Sequence, residues 1–357
     1  MGIKREMSKN KEDIGMKRLF AIVFSMMFLS VGSIDSWGQD INNEMYFPEG
    51  MCIGNEDSII VTNSFGNRIE EVKGEDRKLL YGSKENVEGY LDKSLEDSLF
   101  FRPRDVVKDS LGNIYVSDSK NNVIRKITNK QIFTLSGSGE KGFADGSRTE
   151  AMFNNPLGIA IDKDENILVA DSLNHVIRKI DKKGNVETII GKATMSGFVD
   201  GNLNVALFNE PSDVFVSKLG VIYICDSGNQ LIRKIDGNEV KTVVGIKTDI
   251  KIDTPYGNPG EEKNNEKVKL NYPKSICVTD RGNIIIADTG NSRVIIVDEA
   301  GKKAVLANKE GTGIIKIKLS KPQGLLLEKG KLYISDLNQG KVFSQSFDEE
   351  NIMKLMK

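Results

Sequence analysis

One stretch of about 27 residues returns six times along this 357-residue chain. Its clearest copy is NPLGIAIDKDENILVADSLNHVIRKID, residues 155–181. Close copies run FRPRDVVKDSLGNIYVSDSKNNVIRKI from Phe101, FNEPSDVFVSKLGVIYICDSGNQLIRKI from Phe208 and LNYPKSICVTDRGNIIIADTGNSRVIIV from Leu270. Weaker ones begin at Phe47 and Leu319. A proline marks each copy, at 48, 103, 156, 211, 273 and 322. Fifteen residues after the first five prolines stand Asn63, Asp118, Asp171, Asp226 and Asp288; Asp336 follows the last after fourteen. A period of 49 to 62 residues signals a repeat architecture, and no single residue can be weighed before it.

Each copy holds short apolar or alternating runs separated by turn residues, the signature of strands. In the clearest copy these are 158–162, 167–170 and 176–180. A fourth run follows in each: KLLYG, IFTLSG, VETIIG, KTVVG, KAVLA and, in the last copy, IMKLM. Four short antiparallel strands repeated six times describe an all-β, six-bladed β-propeller. The chain then divides into residues 1–38, an N-terminal extension with a signal peptide, and a single propeller over 39–357 with repeats starting near 47, 101, 153, 208, 270 and 319.

The pattern F-N-x-P-x-G-I-A-x-D, followed by N-x-x-V-A-D-S-x-N-x-x-I-R-K-I, resembles the NHL repeat over about residues 45–357. The connector GFADG…AMFNNP, echoed by GFVDG…ALFNEP, is similar to the secreted bacterial form of that repeat. The resemblance implies the propeller fold. Function differs widely among proteins sharing one fold.

Repetition also separates structural residues from functional ones. Asp171 and Asn174 lie between the second and third strands, where Asp and Asn bond their own backbone and tolerate left-handed conformations. Asn63, Asp118, Asp226, Asp288 and Asp336 occupy the same place, so a turn role is expected for all six. Residues 162–166, DKDEN, begin like a calcium loop but lack its later glycine and glutamate. His175, the only histidine, aligns with Asn122, Gln230 and Ser292 and is expected at a surface turn. One histidine excludes sites built on several. No H-E-x-x-H, G-x-S-x-G or phosphate-loop motif occurs, so no catalytic residue and no metal ligand set is assigned. Arg125-Lys126, Arg178-Lys179 and Arg233-Lys234 sit on third strands, where neighbours point to opposite faces, so they form no single basic patch. Cys52, Cys225 and Cys277 are expected to be buried free thiols.

Residues 17–38 read as a secretory signal: Lys17 and Arg18, a 13-residue apolar run from Leu19 to Val31, then Ser36-Trp37-Gly38 with cleavage before Gln39. An uncleaved membrane anchor is the alternative, although the run is short for a bilayer. Residues 39–357 carry 44 basic and 47 acidic side chains, net −3. That balance gives no general pull on nucleic acid. The expected location is secreted, periplasmic or in the cell envelope.

Strand parity sorts the loops. Turns between second and third strands share one face with the connections between blades; the long segments 82–100, 137–152, 191–207 and 246–269 are all such connections. Long loops on a rigid scaffold are where binding usually sits. The repeat's P-x-G survives at Gly50, Gly158 and Gly324 but becomes P-x-D at Asp105 and Asp213 and P-x-S at Ser275. Asp105 and Asp213, with Arg104 and Lys274, are therefore the candidate residues for a cation or polar ligand at the channel mouth; drift, with each Asp paired to a neighbouring Arg or Lys, is the simpler account. The functional expectation is a non-enzymatic scaffold binding a protein, peptide or glycan on the long-loop face, with no cofactor. The alternative is a calcium- or metal-dependent hydrolase or lyase at the channel mouth.

Overall fold

A constant spacing of fifteen has a direct geometric cause. In the computed structural model, which describes residues 46–95, 97–246 and 268–356, every repeat proline except Pro273, whose blade's inner strand begins at Ser275, opens an inner strand and pairs across a hairpin with the Asp or Asn that ends the next strand. The pairs are Pro48 with Asn63, Pro103 with Asp118, Pro156 with Asp171 and Pro211 with Asp226. Proline has no N–H to give a ladder, so it is confined to such a first position. A register shift of the bulge kind follows it in each of these hairpins. In the last repeat Pro322 pairs with Asp336 around a turn one residue shorter, hence fourteen.

Six antiparallel sheets result, each in sequential strand order from inside to outside. The third is Pro156–Ile161, Ile167–Asp171, Val176–Ile180 and Val186–Ile190, two residues longer at its first strand's start than the apolar run suggests. Inner strands touch their neighbours in ring order, and that of blade 1, Pro48–Ile53, meets that of blade 6, Pro322–Glu328. The chain is a six-bladed β-propeller. Its apolar interior is six separate clusters, one per blade interface. Strands buried on both faces by neighbouring blades read as near-continuous Ile/Val/Leu runs, such as Ile284–Asp288 with all five residues buried. The closing interface between blades 6 and 1 has the thinnest core: Met51, Ile59, Val61 and Val72 are its only fully buried apolar members among the described residues.

Two blades depart from four strands. Blade 4 gains Gly201–Asn202 from the preceding connector as a fifth. Blade 6 has three, and the run IMKLM that sequence periodicity assigns to its fourth strand lies instead in a helix, Glu349–Leu355. The local chemistry explains the correction. The Asp348 side chain accepts from the Asn351 N–H, a helix N-cap, and Glu349 and Glu350 complement the first turn. Ile352 is buried against the cluster between blades 5 and 6.

The three cysteines are free and buried, as expected. Burial pushes the Cys52 and Cys225 thiols up to about 12, which keeps them protonated and unreactive. Among the described residues no helix is long and apolar enough to cross a membrane. The signal segment and most of the connector 246–269 lie outside the described residues.

Candidate ligand site at the channel mouth

In the second-to-third-strand turns Asp171, Asp226 and Asp288 do not bond the turn's own backbone, and the left-handed residue is His175, Gln230 or Ser292 instead. Asp171 accepts from the Asn154 N–H, the Asn174 amide and the Arg178 guanidinium, all at 2.8 Å. Asp118 and Asp226 repeat this with Arg125 and Arg233. Burial pushes these three carboxyls up to about 6 against the pull of the guanidinium. Asp288, Asn63 and Asp336 likewise accept an N–H from the start of their repeat, those of Asn271, Phe47 and Lys321.

The arginines carry more than their doublets suggest. Arg125, Arg178 and Arg233 are fully buried. Each reaches out of its blade into the preceding connector. Arg178 donates to the Met152 and Ala144 carbonyls and to Asp145, and lies 4.7 Å over the Phe143 ring. Arg233 treats Leu207, Val199 and Asp200 in the same way, and Arg125 treats Leu99, Leu91 and Asp92. The connector acid precedes its arginine by 33 residues in each case, a constant that the sequence displays and that reading single motifs misses. A fully buried guanidinium with five directed donors is a strong clamp when every partner is present. Three of the four long connections are thereby fixed to the blades, and none of the three guanidiniums remains on the surface.

Polar links run from each blade to the next. The residue closing each turn has positive φ: Asn67 51°, Asn122 53°, His175 60°. Its side chain accepts the N–H just before the next repeat proline: Asn67 from Arg102, Asn122 from Asn155, His175 Nδ1 from Glu210 at 3.0 Å. Ser119, Ser227 and Thr289 donate to the Pro156, Pro273 and Pro322 carbonyls. His175 is thus an inter-blade acceptor. Burial lowers its pKa, although Glu210 opposes the shift.

Asp105 and Asp213 line the central channel, a cavity of about 310 Å³, together with Arg104 and Lys274. The structure brings all four candidate residues to one cavity. The carboxylates' partners there are backbone N–H groups. One oxygen of Asp105 accepts from its own blade's Val106 N–H and the other from Ile159 of blade 3. Asp213 serves Val214 and Ile276 of blade 5 likewise. Ser275 takes the Leu325 N–H of blade 6. A buried N–H needs an acceptor, and one carboxylate supplies two, so an Asp in every second blade satisfies two blades. The retained glycines make room for it. A Cβ on Gly50 would lie 2.2 Å from Asp105 Oδ1, and one on Gly158 would lie 2.4 Å from Asp213 Oδ1. Burial raises both carboxyls, Asp105 to about 6 and Asp213 well above the usual carboxylate range, where the Asp105 charge adds to the effect.

The residue between proline and Gly/Asp/Ser places one side chain per blade around the mouth: Glu49, Arg104, Leu157, Ser212, Lys274 and Gln323. Arg104 Nη1 pairs with Glu49 at 2.5 Å. Burial, and then the Arg104 charge, lower the Lys274 pKa. Sequence reasoning missed Gln323; its only signal was its position in the repeat.

The comparisons accord with this geometry. Two of the repeats, residues 153–180 and 270–297, match the family described as the NHL repeat. These two segments are NHL repeats. It is 26% identical over 273 residues to "Protein SUPPRESSOR OF QUENCHING 1, chloroplastic" of Arabidopsis thaliana, covering 70% of this chain and 25% of that one. It is 30% identical over 142 residues to "NHL repeat-containing protein 2" of Homo sapiens, covering 36% and 19%. The NHL propeller thus spans a quarter or less of these relatives. By fold it is similar to a catalytically inactive histidine-to-alanine variant of virginiamycin B lyase from Staphylococcus aureus (TM-score 0.52, 12% identity, 87% of this chain and 86% of that one). It is also similar to a gluconolactonase from Xanthomonas campestris (TM-score 0.56, 11% identity, 85% and 86%).

Proposed function

We propose that this NHL propeller is a non-catalytic binding scaffold of the secreted bacterial kind, working outside the cytoplasm and taking a protein, peptide or glycan on its connector face. The observation that carries this is the arginine clamp. Fixed connectors are a pre-formed surface, and pre-organisation lowers the entropic cost of association. From that surface project Phe65, Tyr90, Phe143, Leu173, Met195 and Val199, each 38–52% exposed. Large apolar side chains gathered on one face mark interaction surfaces in soluble proteins.

Affinity capture with the tagged full-length chain tests the reading. A partner held by the wild type is expected to be lost from a Tyr90→Ser/Leu173→Ser/Met195→Ser variant that keeps its melting temperature. Equal capture by both overturns the assignment of this face. N-terminal sequencing tests the signal: a start at Gln39 is expected, and retention of Trp37, with its emission, overturns it.

A calcium- or metal-dependent hydrolase or lyase is the second reading, favoured by Asp105 and Asp213 both lining the channel. It stands behind the first because the four carboxylate oxygens already accept backbone N–H groups and the one histidine is an inter-blade acceptor. Hydrolysis or elimination that stops with chelator would put it first.

A further inference from the structure

We propose that the channel mouth of the connector face binds a small oxyanion, a carboxylate or phosphate group, between Lys274 and Arg104 with Gln323 as a neutral donor. This deepens the reading of that face as the binding face and narrows the sequence expectation, a cation or polar ligand at Asp105, Asp213, Arg104 and Lys274, to an anion on the basic pair.

The ring order sets the geometry. Arg104 belongs to blade 2 and Lys274 to blade 5, and in a ring of six these blades face each other across the axis. Both line the same cavity. Among the described residues, Lys274 Nζ has no hydrogen bond or ion pair; its one contact is with the Tyr272 ring, 5.7 Å away. Arg104 uses Nη1 on Glu49, and its Nε and Nη2 have no protein partner among the described residues. Gln323 is 6% exposed, lines the cavity and has no hydrogen-bond partner among the described residues, although its amide carries two donors. Its amide atoms face the channel rather than the protein interior, so a ligand can take its donors directly. A largely desolvated ammonium with a guanidinium lining the same cavity is unfavourable, as the lowered Lys274 pKa reflects. An anion relieves that. Asp105 and Asp213 do not oppose it as free charges would. Their oxygens are bound to backbone N–H groups, and their pKa values are raised. Glu49, Leu157 and Ser212 complete the rim; the Glu49 carboxylate is held by Arg104 Nη1 and the Ser64 hydroxyl, and the Ser212 hydroxyl is committed to the Pro273 and Lys274 carbonyls. The occupant's charged head therefore lies toward Lys274, Arg104 and Gln323.

Calorimetric titration of the full chain with sodium phosphate, and separately with sodium succinate at matched ionic strength, tests this. One equivalent of at least one anion is expected to bind. Lys274→Met is expected to weaken binding about tenfold or more and Gln323→Leu several-fold, since losing one partner of a desolvated charge costs much of its interaction. Lys218→Met, on the opposite face, should bind as wild type. Phosphate alone binding points to a phosphate ester as the occupant, and succinate alone to an organic acid. No heat from wild type with either anion, unchanged affinity in Lys274→Met, or equal weakening in Lys218→Met would each overturn the site. If Lys274→Met does not fold, lysine-methylated wild type followed by NMR replaces it: the Lys274 signal must shift on titration, and its failure to move overturns the proposal. Partner capture through Tyr90, Leu173 and Met195 does not depend on Lys274, so the two readings fail separately.

Discussion

Blades 2 to 4 and blades 5, 6 and 1 form one ring by different chemistry. In the first group an arginine seven residues after the turn Asp is fully buried and ties turn to connector. In blade 5 the position holds Ile295, and Arg293 reaches Asp288 from two residues earlier while 23% exposed. In blade 1 it holds Glu70, which Arg68 and Arg77 neutralise from outside the repeat pattern. In blade 6 it holds Phe343, and the fourth strand gives way to a helix. The hairpin needs only an acceptor at its corner, and Asn63 serves as well as Asp171. The buried arginine follows three of the four long connectors; after the fourth, Arg293 still reaches the connector's Lys269 carbonyl, but from a partly exposed position.

The sharpest way to break this contrast is to remove one arginine from each half. Arg178→Met leaves the buried Asp171 carboxylate uncompensated and is expected to cost about 3–5 kcal/mol. Arg293→Met, at a partly solvated pair, should cost about 1–2 kcal/mol. Urea midpoints read both; equal losses would show that the two halves do not differ. A smaller effect tests the alternation of glycine and aspartate. Gly158→Ala puts a methyl 2.4 Å from Asp213 Oδ1 and 2.9 Å from the Ser212 carbonyl, and should cost about 1–3 kcal/mol by overpacking. A neutral result would show that the inner strands shift freely and that the alternation is not steric.

The smallest effect concerns His175, the titratable member of the turn-closing residues that accept from the next blade. Its folded pKa is lowered, so the unfolded chain binds the extra proton first. Its contribution is therefore present above the unfolded value of about 6.5 and is lost as pH falls through it. His175→Asn reproduces the bond that Asn122 makes and should flatten the melting temperature between about pH 5 and 7 relative to wild type. An unchanged slope would remove His175 from the list of links.

The fold was legible because repetition multiplies a weak signal. Pro48 to Asn63 alone is a spacing; six such spacings are an architecture. The site was only partly legible. Asp105, Asp213, Arg104 and Lys274 do share a cavity, since departures from a repeat near its axis must converge. Their roles were not readable, because a carboxylate's partners here are backbone N–H groups of the next blade, which leave no mark in side-chain identity. The run IMKLM misled because its strand-like apolarity is shared by a helix with one buried residue, and the deciding cap, Asp348, lies before the run. The clamp arginines were visible but misread, since a doublet on a strand says nothing of a partner 33 residues back.

The blade-to-blade links join each blade to its successor in chain order, and the last, Ser335 to the Glu49 carbonyl, spans 286 residues. Synthesis runs in that same direction. Each nascent blade finds hydrogen-bonding groups, donors as well as acceptors, already laid out by the one before, at the low entropy of a short loop. Only the final seam, over the thinnest core, must gather distant chain ends, so the ring has a built-in beginning and a single late, slow stitch.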